Sequence, residues 1–420
     1  MKRVVITGAG TINALGLSVP ETLAAMREGK CGIGPLEFRD VERLAIRIGG
    51  QVRGFEAEGR YNRQQIALYD RFTQFTLTAA REAIEQSGLT FTDELAARAG
   101  VVLGTAGGGV STWDDNYRAV YEEGKNRVHP FVVPKLMNNA AASHVSMEWN
   151  LRGPSFTVST ACASSNHAMA QAFAMVRSGM SPVMVTGGSE SMLCFGGVKA
   201  WEGLRVMSRD ACRPFSANRN GMVQGEGAGV FVFEDYEHAR ARGAEILCEV
   251  AGFAMTSDAS DIVMPSKAGA ARAMQGALAD ATATDLGATA VKAAVDRSGV
   301  PVDKFDRTYM GCVLPAGLGQ APARQASIKA GLPKSVQATT VNKVCGSGMQ
   351  TVIMGSEALA SGTVNYVVAG GMESMTNAPY LLKKHRSGAR LGHDTAYDHM
   401  FLDGLEDLSL IHISEPTRPY

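Results

Sequence analysis

One segment of this sequence occurs twice, and the repeat limits the possible folds more than any other feature. Residues 162–192 align without gaps with residues 345–375, and ten of the 31 positions are identical. Cys162 and Cys345 begin the two copies, which lie 183 residues apart (345 − 162). That distance is far too long for a solenoid, so the repeat predicts two related halves built on one supersecondary unit.

Each copy has the pattern of a strand, a sharp turn that carries the cysteine, a helix and a second strand. In the first copy the strand covers 155–160, and the turn at 161–165 consists of small residues. The helix places its N-terminus at the sulfur, where unpaired N–H groups and the helix dipole favour a thiolate. We therefore predict that Cys162 and Cys345 are catalytic nucleophiles.

Composition argues against several classes of partner. The 41 basic and 41 acidic residues give a formal net charge of zero, which disfavours nucleic acid and charged membrane surfaces. The seven cysteines show neither CxxC nor Cys/His metal spacing, so we expect reduced thiols and no metal. The apolar run at the N-terminus is too short for a signal peptide, and no run approaches about 18 apolar residues, which predicts a cytoplasmic protein.

The order of elements predicts an α/β fold with a parallel or mixed sheet, covered on both faces, in each half. A helix over 67–86 should stop at Gly88, and a strand over 246–255 should open the second half. Two consecutive helices, over 268–281 and 284–298, interrupt the alternation. Glycines at 8 and 10 predict a tight turn after a short strand rather than a dinucleotide loop, because GxGxxG would need glycine where Asn13 stands.

Residues 1 to about 281 resemble the β-ketoacyl-acyl-carrier-protein synthases, the decarboxylating condensing enzymes of fatty-acid synthesis. The motifs that carry the resemblance are RVVITG (3–8), LRGP (151–154), TACASS (160–165), RPF (213–215) and GEGAG (225–229). The sequence of residues 212–221 is similar to that of the nodulation-type branch of the family. From Thr282 to about 407 the chain resembles the first half of the thiolases, or acetyl-CoA acetyltransferases, through NKVCGSGM (342–349) and AGGMESM (369–375).

These resemblances imply a thiolase-like fold, in which two pseudo-symmetric halves stack in five αβαβα layers. The expected domains are 1–245, carrying Cys162, and 246–407, a second and incomplete half, since both copies resemble an N-terminal half. Residues 408–420 fit neither family and resemble translated sequencing adapter, so we exclude them from fold reasoning. Both a natural fusion and an assembly error near Ala281 remain open.

The resemblance also implies the chemistry. Cys162 would attack an acyl thioester carried on acyl-carrier protein or coenzyme A, and a Claisen condensation with malonyl-carrier protein would follow, with no further cofactor. In the family, two histidines of the C-terminal half promote the decarboxylation, and none of the eight histidines here stands in an HGT-like or GH-like motif. We therefore expect a chain that accepts an acyl group without condensing it. The alternatives are a thiolase with Cys345 as nucleophile and a self-acylating protein that uses both cysteines.

The remaining histidines and cysteines have less specific expectations. His167 follows Cys162 by five residues, about 140° around a helix, so it should point away from the sulfur. His393 and His399 match thiolase loop wording and are expected to be structural or near a coenzyme A loop. The family resemblance implies a homodimer. The other five cysteines are expected to be small buried hydrophobic residues: Cys31, Cys194, Cys212, Cys248 and Cys312.

Overall fold

The computed structural model describes residues 2–278, 281–388 and 392–406. The chain divides into two compact units, Met1–Val250 and Ala251–Tyr420. The segment 408–420, which we predicted to be foreign to the fold, lies outside the described residues. Within the part of the chain that is described, no helix has the length and apolar character needed to span a membrane.

The first unit contains a large sheet with helices on its faces. The strands of this unit are β1 (Val4–Ile12), β2 (Gly34–Pro35), β3 (Ile48–Gly49), β4 (Gly100–Gly104), β5 (Ser155–Val158), β6 (Val183–Glu190), β7 (Gly227–Asp235) and β8 (Cys248–Val250). Strands β2 and β3 pair with each other in a separate two-stranded sheet. Its helices are α1 (Val19–Arg27), α2 (Arg63–Leu68), α3 (Arg71–Ser87), α4 (Asp93–Arg98), α5 (Val110–Tyr121), α6 (Val132–Leu136), α7 (Ala140–Glu148), α8 (Ser164–Ser178), α9 (Phe195–Gly203) and α10 (Tyr236–Ala241).

The sheet of the first unit is mixed, with the strand order β5-β4-β6-β7-β1-β8. Strand β4 pairs in parallel with β5 and β6, whereas β7, β1 and β8 join by antiparallel pairing. The strand that we predicted to open the second half is β8. That prediction was wrong, because Val250 pairs with Val4 and places β8 in the first sheet.

Two helices cover the sheet from opposite sides. Alternate residues of β4 point to two separate clusters, Val101 to the one built around α3 and Val102 to the one built around α8. Phe72 and Phe75 of α3 are fully buried, and each contributes about 1.5–3 kcal/mol of hydrophobic stabilisation. The sheet is thus covered on both faces, as predicted.

Two local predictions fail, one because of a helix cap and the other because of packing against a helix distant in sequence. The helix expected over 67–86 is broken, because the Asp70 carboxylate accepts the N–H of Phe72 and starts α3 there. The turn expected at Gly8 is absent, because β1 continues through it beside α3. A Cβ atom at Gly8 would lie 1.9 Å from the carbonyl oxygen of Ala83, so glycine here permits close packing of a helix on a strand.

The second unit contains a smaller sheet of parallel strands. The strands of this unit are β9 (Arg307–Gly311), β10 (Gln337–Val341), β11 (Val367–Gly371), β12 (Tyr380–Leu382) and β13 (Ala396–Asp398), and its helices are α11 (Lys267–Leu278), α12 (Ala283–Ser298), α13 (Pro322–Lys329) and α14 (Ser347–Ala360). Strands β12 and β13 pair with each other in a separate antiparallel sheet. Strand β9 lies between β10 and β11, and both pair with it in parallel. The two consecutive helices that we predicted are α11 and α12.

The repeat found in the sequence is a repeat in three dimensions. The group β4, β5, α8 and β6 has the same parallel order, with the first strand central, as the group β9, β10, α14 and β11. In the first unit β7 pairs with β6 on the far side of this group. In the second unit β11 ends the sheet, as far as the described residues show.

Candidate active site

Cys162 lies in the turn between β5 and α8, two residues before the helix begins. Ala161 has a left-handed backbone conformation, with φ of 51°. The Ser164 hydroxyl closes the turn, because it accepts the N–H of Thr160 at 2.8 Å and donates to the Ala161 carbonyl at 2.6 Å. One side chain thus fixes both sides of the cysteine, whose own side chain is exposed.

A cavity of about 510 Å³ opens beside Cys162. Its polar margin includes Thr105 and Glu190, and its apolar wall includes Met192, Trp201 and Met222. Glycines of the 225–229 motif form one side, and a Cβ atom at Gly229 would meet nothing within 4 Å. The size and mostly apolar lining are typical of a site for an organic ligand.

The glycine-rich loop after β4 is held beside the cavity by Glu190. The carboxylate accepts the backbone N–H groups of Ala106 at 2.7 Å and Gly107 at 3.3 Å, and the Thr105 hydroxyl at 3.3 Å. Burial raises the pKa of Glu190. Sequence reasoning missed Glu190. Its identity with Glu373 in the repeat was the signal that could have found it.

The GEGAG motif is anchored by a second carboxylate that sequence reasoning missed. The Glu226 side chain is buried and accepts two hydrogen bonds from the Arg71 guanidinium, at 2.7 and 3.0 Å. It also accepts the Ser191 hydroxyl at 2.9 Å and the N–H of Val52 at 3.0 Å. A buried carboxylate with this many donors is compensated for its lost hydration. The glycines on either side of it are thereby fixed at the cavity.

Cys345 lies in a turn with the same geometry, in the second unit. Val344 takes the left-handed conformation, with φ of 46°. The Ser347 hydroxyl accepts the N–H of Lys343 at 2.8 Å and donates to the Val344 carbonyl at 2.6 Å. The sequence repeat therefore reproduces the turn down to its hydrogen bonds, and each cysteine belongs to a different compact unit.

No histidine lines the cavity at Cys162 among the described residues that form it. His167 is half-buried on α8 and lies outside the lining, as its position on the helix predicted. His399 is buried, with one ring nitrogen at Asp403 and the other accepting the N–H of Ala316. Both nitrogens are thus occupied, which supports a structural role, one of the two roles expected for it.

The other cysteines divide into two groups. Burial raises the pKa of the Cys194 thiol to about 11 and that of Cys312, which also lies beside a carboxylate, to about 12. Both are therefore neutral thiols near pH 7. The expectation of burial was wrong for three positions, whose side chains are exposed: Cys31, Cys212 and Cys248. All seven cysteines are free. The described residues contain no cluster of three or more potential metal ligands.

Comparison with known proteins identifies the class. A model described as the N-terminal domain of β-ketoacyl synthase matches residues 1–239, and one described as the N-terminal domain of thiolase matches residues 262–412. The chain belongs to the β-ketoacyl synthase family, whose members are condensing enzymes, and it is an acyltransferase of that type. Both resemblances seen in the sequence are confirmed, although the thiolase match begins before Thr282.

Individual relatives narrow the resemblance. Nodulation protein E of Rhizobium sp. (strain N33) is 44% identical over 280 residues, which cover 67% of this chain and 69% of the relative. The 3-oxoacyl-[acyl-carrier-protein] synthase 2 of Vibrio cholerae is 38% identical over 291 residues. The match covers 67% of this chain and 70% of that relative. The similarity of residues 212–221 to the nodulation-type branch thus agrees with the match to nodulation protein E.

Solved structures give the fold. A β-ketoacyl synthase from Burkholderia phymatum STM815 is 27% identical, covers 88% of this chain and 90% of its own, and has a TM-score of 0.62. The ishigamide ketosynthase/chain length factor is also 27% identical and has a TM-score of 0.62. The match covers 81% of this chain and 80% of that structure's chain. The thiolase-like fold that the resemblance implied is confirmed.

Proposed function

We propose that Cys162 accepts an acyl group from a thioester and holds it as an acyl-enzyme. The observation that carries this proposal is the position of Cys162, in a fixed turn before the N-terminus of α8 and at the mouth of a mostly apolar cavity of about 510 Å³. The small residues of the turn leave the sulfur open to a substrate, and the cavity removes the acyl chain from water.

The acyl transfer needs no further cofactor. The Cys162 sulfur forms a bond with the thioester carbonyl carbon, and the backbone N–H of Cys162 stabilises the oxyanion of the tetrahedral intermediate. The intermediate collapses when the bond from that carbon to the carrier sulfur breaks, and the carrier leaves as a thiol after taking up a proton. The acyl chain then occupies the cavity beside Met192 and Trp201.

The acyl group is carried by acyl-carrier protein, on this proposal. The support comes from the relatives, which include 3-oxoacyl-[acyl-carrier-protein] synthases at 36–38% identity. The pathway that such a substrate serves is fatty-acid biosynthesis. The support for a thioester substrate is the cavity itself, which offers a nucleophile together with apolar walls.

Condensation is a separate question, because it needs acid–base groups at the acyl-enzyme. Decarboxylation of malonyl-carrier protein creates an enolate that must be stabilised, and no histidine lies among the cavity-lining residues. We therefore propose that this cavity accepts the acyl group and does not extend it.

The test is to incubate the protein with acyl-carrier protein bearing a radiolabelled acyl chain and to locate the label by peptide mass spectrometry. We expect label on Cys162 and its loss in Cys162→Ala. Adding malonyl-carrier protein should give no extended product. An extended product that disappears in Cys162→Ala would contradict the second part of the proposal, and an unlabelled wild type would contradict the first.

Cys345 is the candidate for a second acyl acceptor, which would make the chain self-acylating at two sites, or active as a thiolase. The observation that favours it is the shared turn, with its left-handed residue and a serine hydroxyl that bridges the two sides of the cysteine, here called the serine clamp. The same peptide analysis with acetyl-coenzyme A tests this alternative, because Cys345→Ala should remove label from that peptide alone.

We further propose that the first unit forms a homodimer through β5. This strand pairs only with β4 among the described strands, so its other edge is open. Phe156 on this strand and Met137 beside it are exposed, and both line a shallow groove along β5. An open edge with exposed apolar residues favours strand pairing between copies. Sedimentation should show a dimer that Phe156→Lys weakens, and a monomeric wild type would contradict it.

A further inference from the structure

Glu190 is placed to act on Cys162 through the loop that lies between them. We propose that Glu190 is a positioning residue, which holds the loop after β4 against the cysteine turn so that the thioester carbonyl meets the sulfur. The inference rests on the proposed role of Cys162 as acyl acceptor. It concerns a carboxylate that lines the same cavity as the sulfur.

The hydrogen bonds of Glu190 are all directed at one loop. Two consecutive backbone N–H groups, of Ala106 and Gly107, donate to the same carboxylate oxygen. The Thr105 hydroxyl donates to the other oxygen and in turn accepts the N–H of Gly108 at 3.2 Å. The carboxylate therefore sets the path of four successive residues at the edge of the cavity.

The loop in turn contacts the turn that carries the nucleophile. The Ala106 carbonyl accepts the Ser159 hydroxyl at 3.4 Å, three residues before Cys162. Next to this loop, a Cβ atom at Gly104 would lie 2.3 Å from the backbone of Ser164 and Ser165, so β4 and the start of α8 are in direct contact. A displacement of the loop therefore reaches both sides of the cysteine.

The second copy of the repeat supplies an independent observation. Glu373 accepts the backbone N–H groups of Val313 at 2.7 Å and Leu314 at 3.1 Å, in the loop that follows β9. The loop residues differ, since Cys312 stands where the first copy has Thr105. The same carboxylate arrangement beside each cysteine turn, with different loop sequences, indicates that the geometry of the loop is what the glutamate provides.

The position of Glu190 predicts different effects on two reactions of Cys162, acyl transfer and alkylation by a small reagent. The thiol of Cys162 is exposed, so a small reagent reaches it without the loop. An acyl thioester must instead lie in the cavity with its carbonyl aligned to the sulfur, and alignment errors of about 1 Å can cost on the order of 100-fold in rate. Loss of Glu190 should therefore slow acyl transfer and spare simple alkylation.

The experiment compares two rates at Cys162 in the full chain, both read on its peptide by mass spectrometry. One is acyl transfer from saturating acyl-carrier protein, and the other is alkylation by iodoacetamide. We expect Glu190→Ala to lower acyl transfer about tenfold and to change alkylation less than about twofold. Glu190→Gln should restore acyl transfer to within about threefold of wild type, because its amide oxygen accepts both N–H groups and its NH₂ donates to Thr105.

Matched variants keep the test decisive. Glu373→Ala removes the same device from the second unit and should leave acyl transfer to Cys162 unchanged. Thr105→Val is a milder variant, to be used if Glu190→Ala does not fold, and should slow acyl transfer about threefold with alkylation unchanged. Equal acyl transfer in wild type and Glu190→Ala, a slow Glu190→Gln, or alkylation falling in step with acyl transfer would overturn the inference. Absence of acylation in wild type would instead refute the role of Cys162.

Discussion

The two cysteine turns share their local structure and differ in what surrounds them. Both have a left-handed residue before the cysteine, a serine clamp and a glutamate that holds the neighbouring loop. In the first unit β7 pairs with β6 and brings the glycines that open the cavity at Cys162. In the described part of the second unit, β11 ends the sheet. A short segment of sequence therefore builds the cysteine turn, whereas a strand distant in sequence completes the cavity beside Cys162.

The largest effect should follow from filling the contact between the central strand and the cysteine helix. A Cβ atom at Gly104 would lie 2.3 Å from the Ser164 backbone, and one at Gly311 would lie 2.6 Å from that of Gly348. Overpacking against backbone should cost about 3 kcal/mol in each case. Gly104→Ala should also abolish acylation of Cys162, whereas Gly311→Ala should not.

Urea unfolding together with peptide labelling measures both outcomes. Gly59→Ala is the control, since a Cβ there meets nothing within 4 Å, and it should change the free energy of unfolding by less than about 0.5 kcal/mol. Equal loss of Cys162 labelling in both variants at positions 104 and 311 would mean that the two turns are not independent.

A smaller effect should follow from narrowing the cavity beside Cys162. Gly229 on β7 faces open space. The side chain of Gly229→Val should therefore fill part of the cavity without a backbone clash. Acyl transfer of long chains to Cys162 should fall about tenfold while short chains are unaffected. The ratio of the two rates is the measurement, and an unchanged ratio would place the acyl chain elsewhere.

The residues before the two cysteines allow a comparison of backbone strain. A β-branched residue at positive φ is costly, and Val344 has φ of 46° where the first copy has Ala161. Val344→Gly should therefore raise the free energy of unfolding by about 1 kcal/mol, after the entropy that glycine adds to the unfolded chain. Ala161→Gly should gain less. A destabilised Val344→Gly variant in chemical denaturation would show that the valine side chain contributes packing that outweighs its strain.

The smallest effect concerns pH. Burial raises the pKa of Glu190, so the folded chain takes up a proton there more readily than the unfolded chain. The contribution of this group to the free energy of unfolding should increase as pH falls through the folded pKa and level off below the ordinary value. Glu190→Gln should remove this increase. Denaturation curves of both proteins across the acidic range measure it, and parallel pH profiles would contradict it.

The sequence predicted most of what is local. The repeat indicated the strand, turn, helix and strand around Cys162 and Cys345, because the pattern of each element lies within the segment. It did not predict that β1 continues through Gly8, since that depends on how closely α3 packs.

The two carboxylates that hold segments of the cavity wall were missed for a similar reason. Glu226 became recognisable only when folding brought Arg71 to it from 155 residues away. Glu190 was visible in the repeat as an identity with Glu373, but its role depends on a loop from another strand. Contacts between distant segments thus determine what local pattern leaves open.

The position of β1 has a consequence for how the first unit forms during synthesis. Val4 pairs with Asp235 on one side and Val250 on the other, so the first strand made is completed by partners that are 231 and 246 residues later (235 − 4 and 250 − 4). Pairing across such separations is slow and depends on the whole unit. Until residue 235 has left the ribosome, β1 has no strand partner and β6 exposes one unpaired edge, and β1 keeps one open edge until residue 250 has followed. Such unpaired edges favour association between nascent chains.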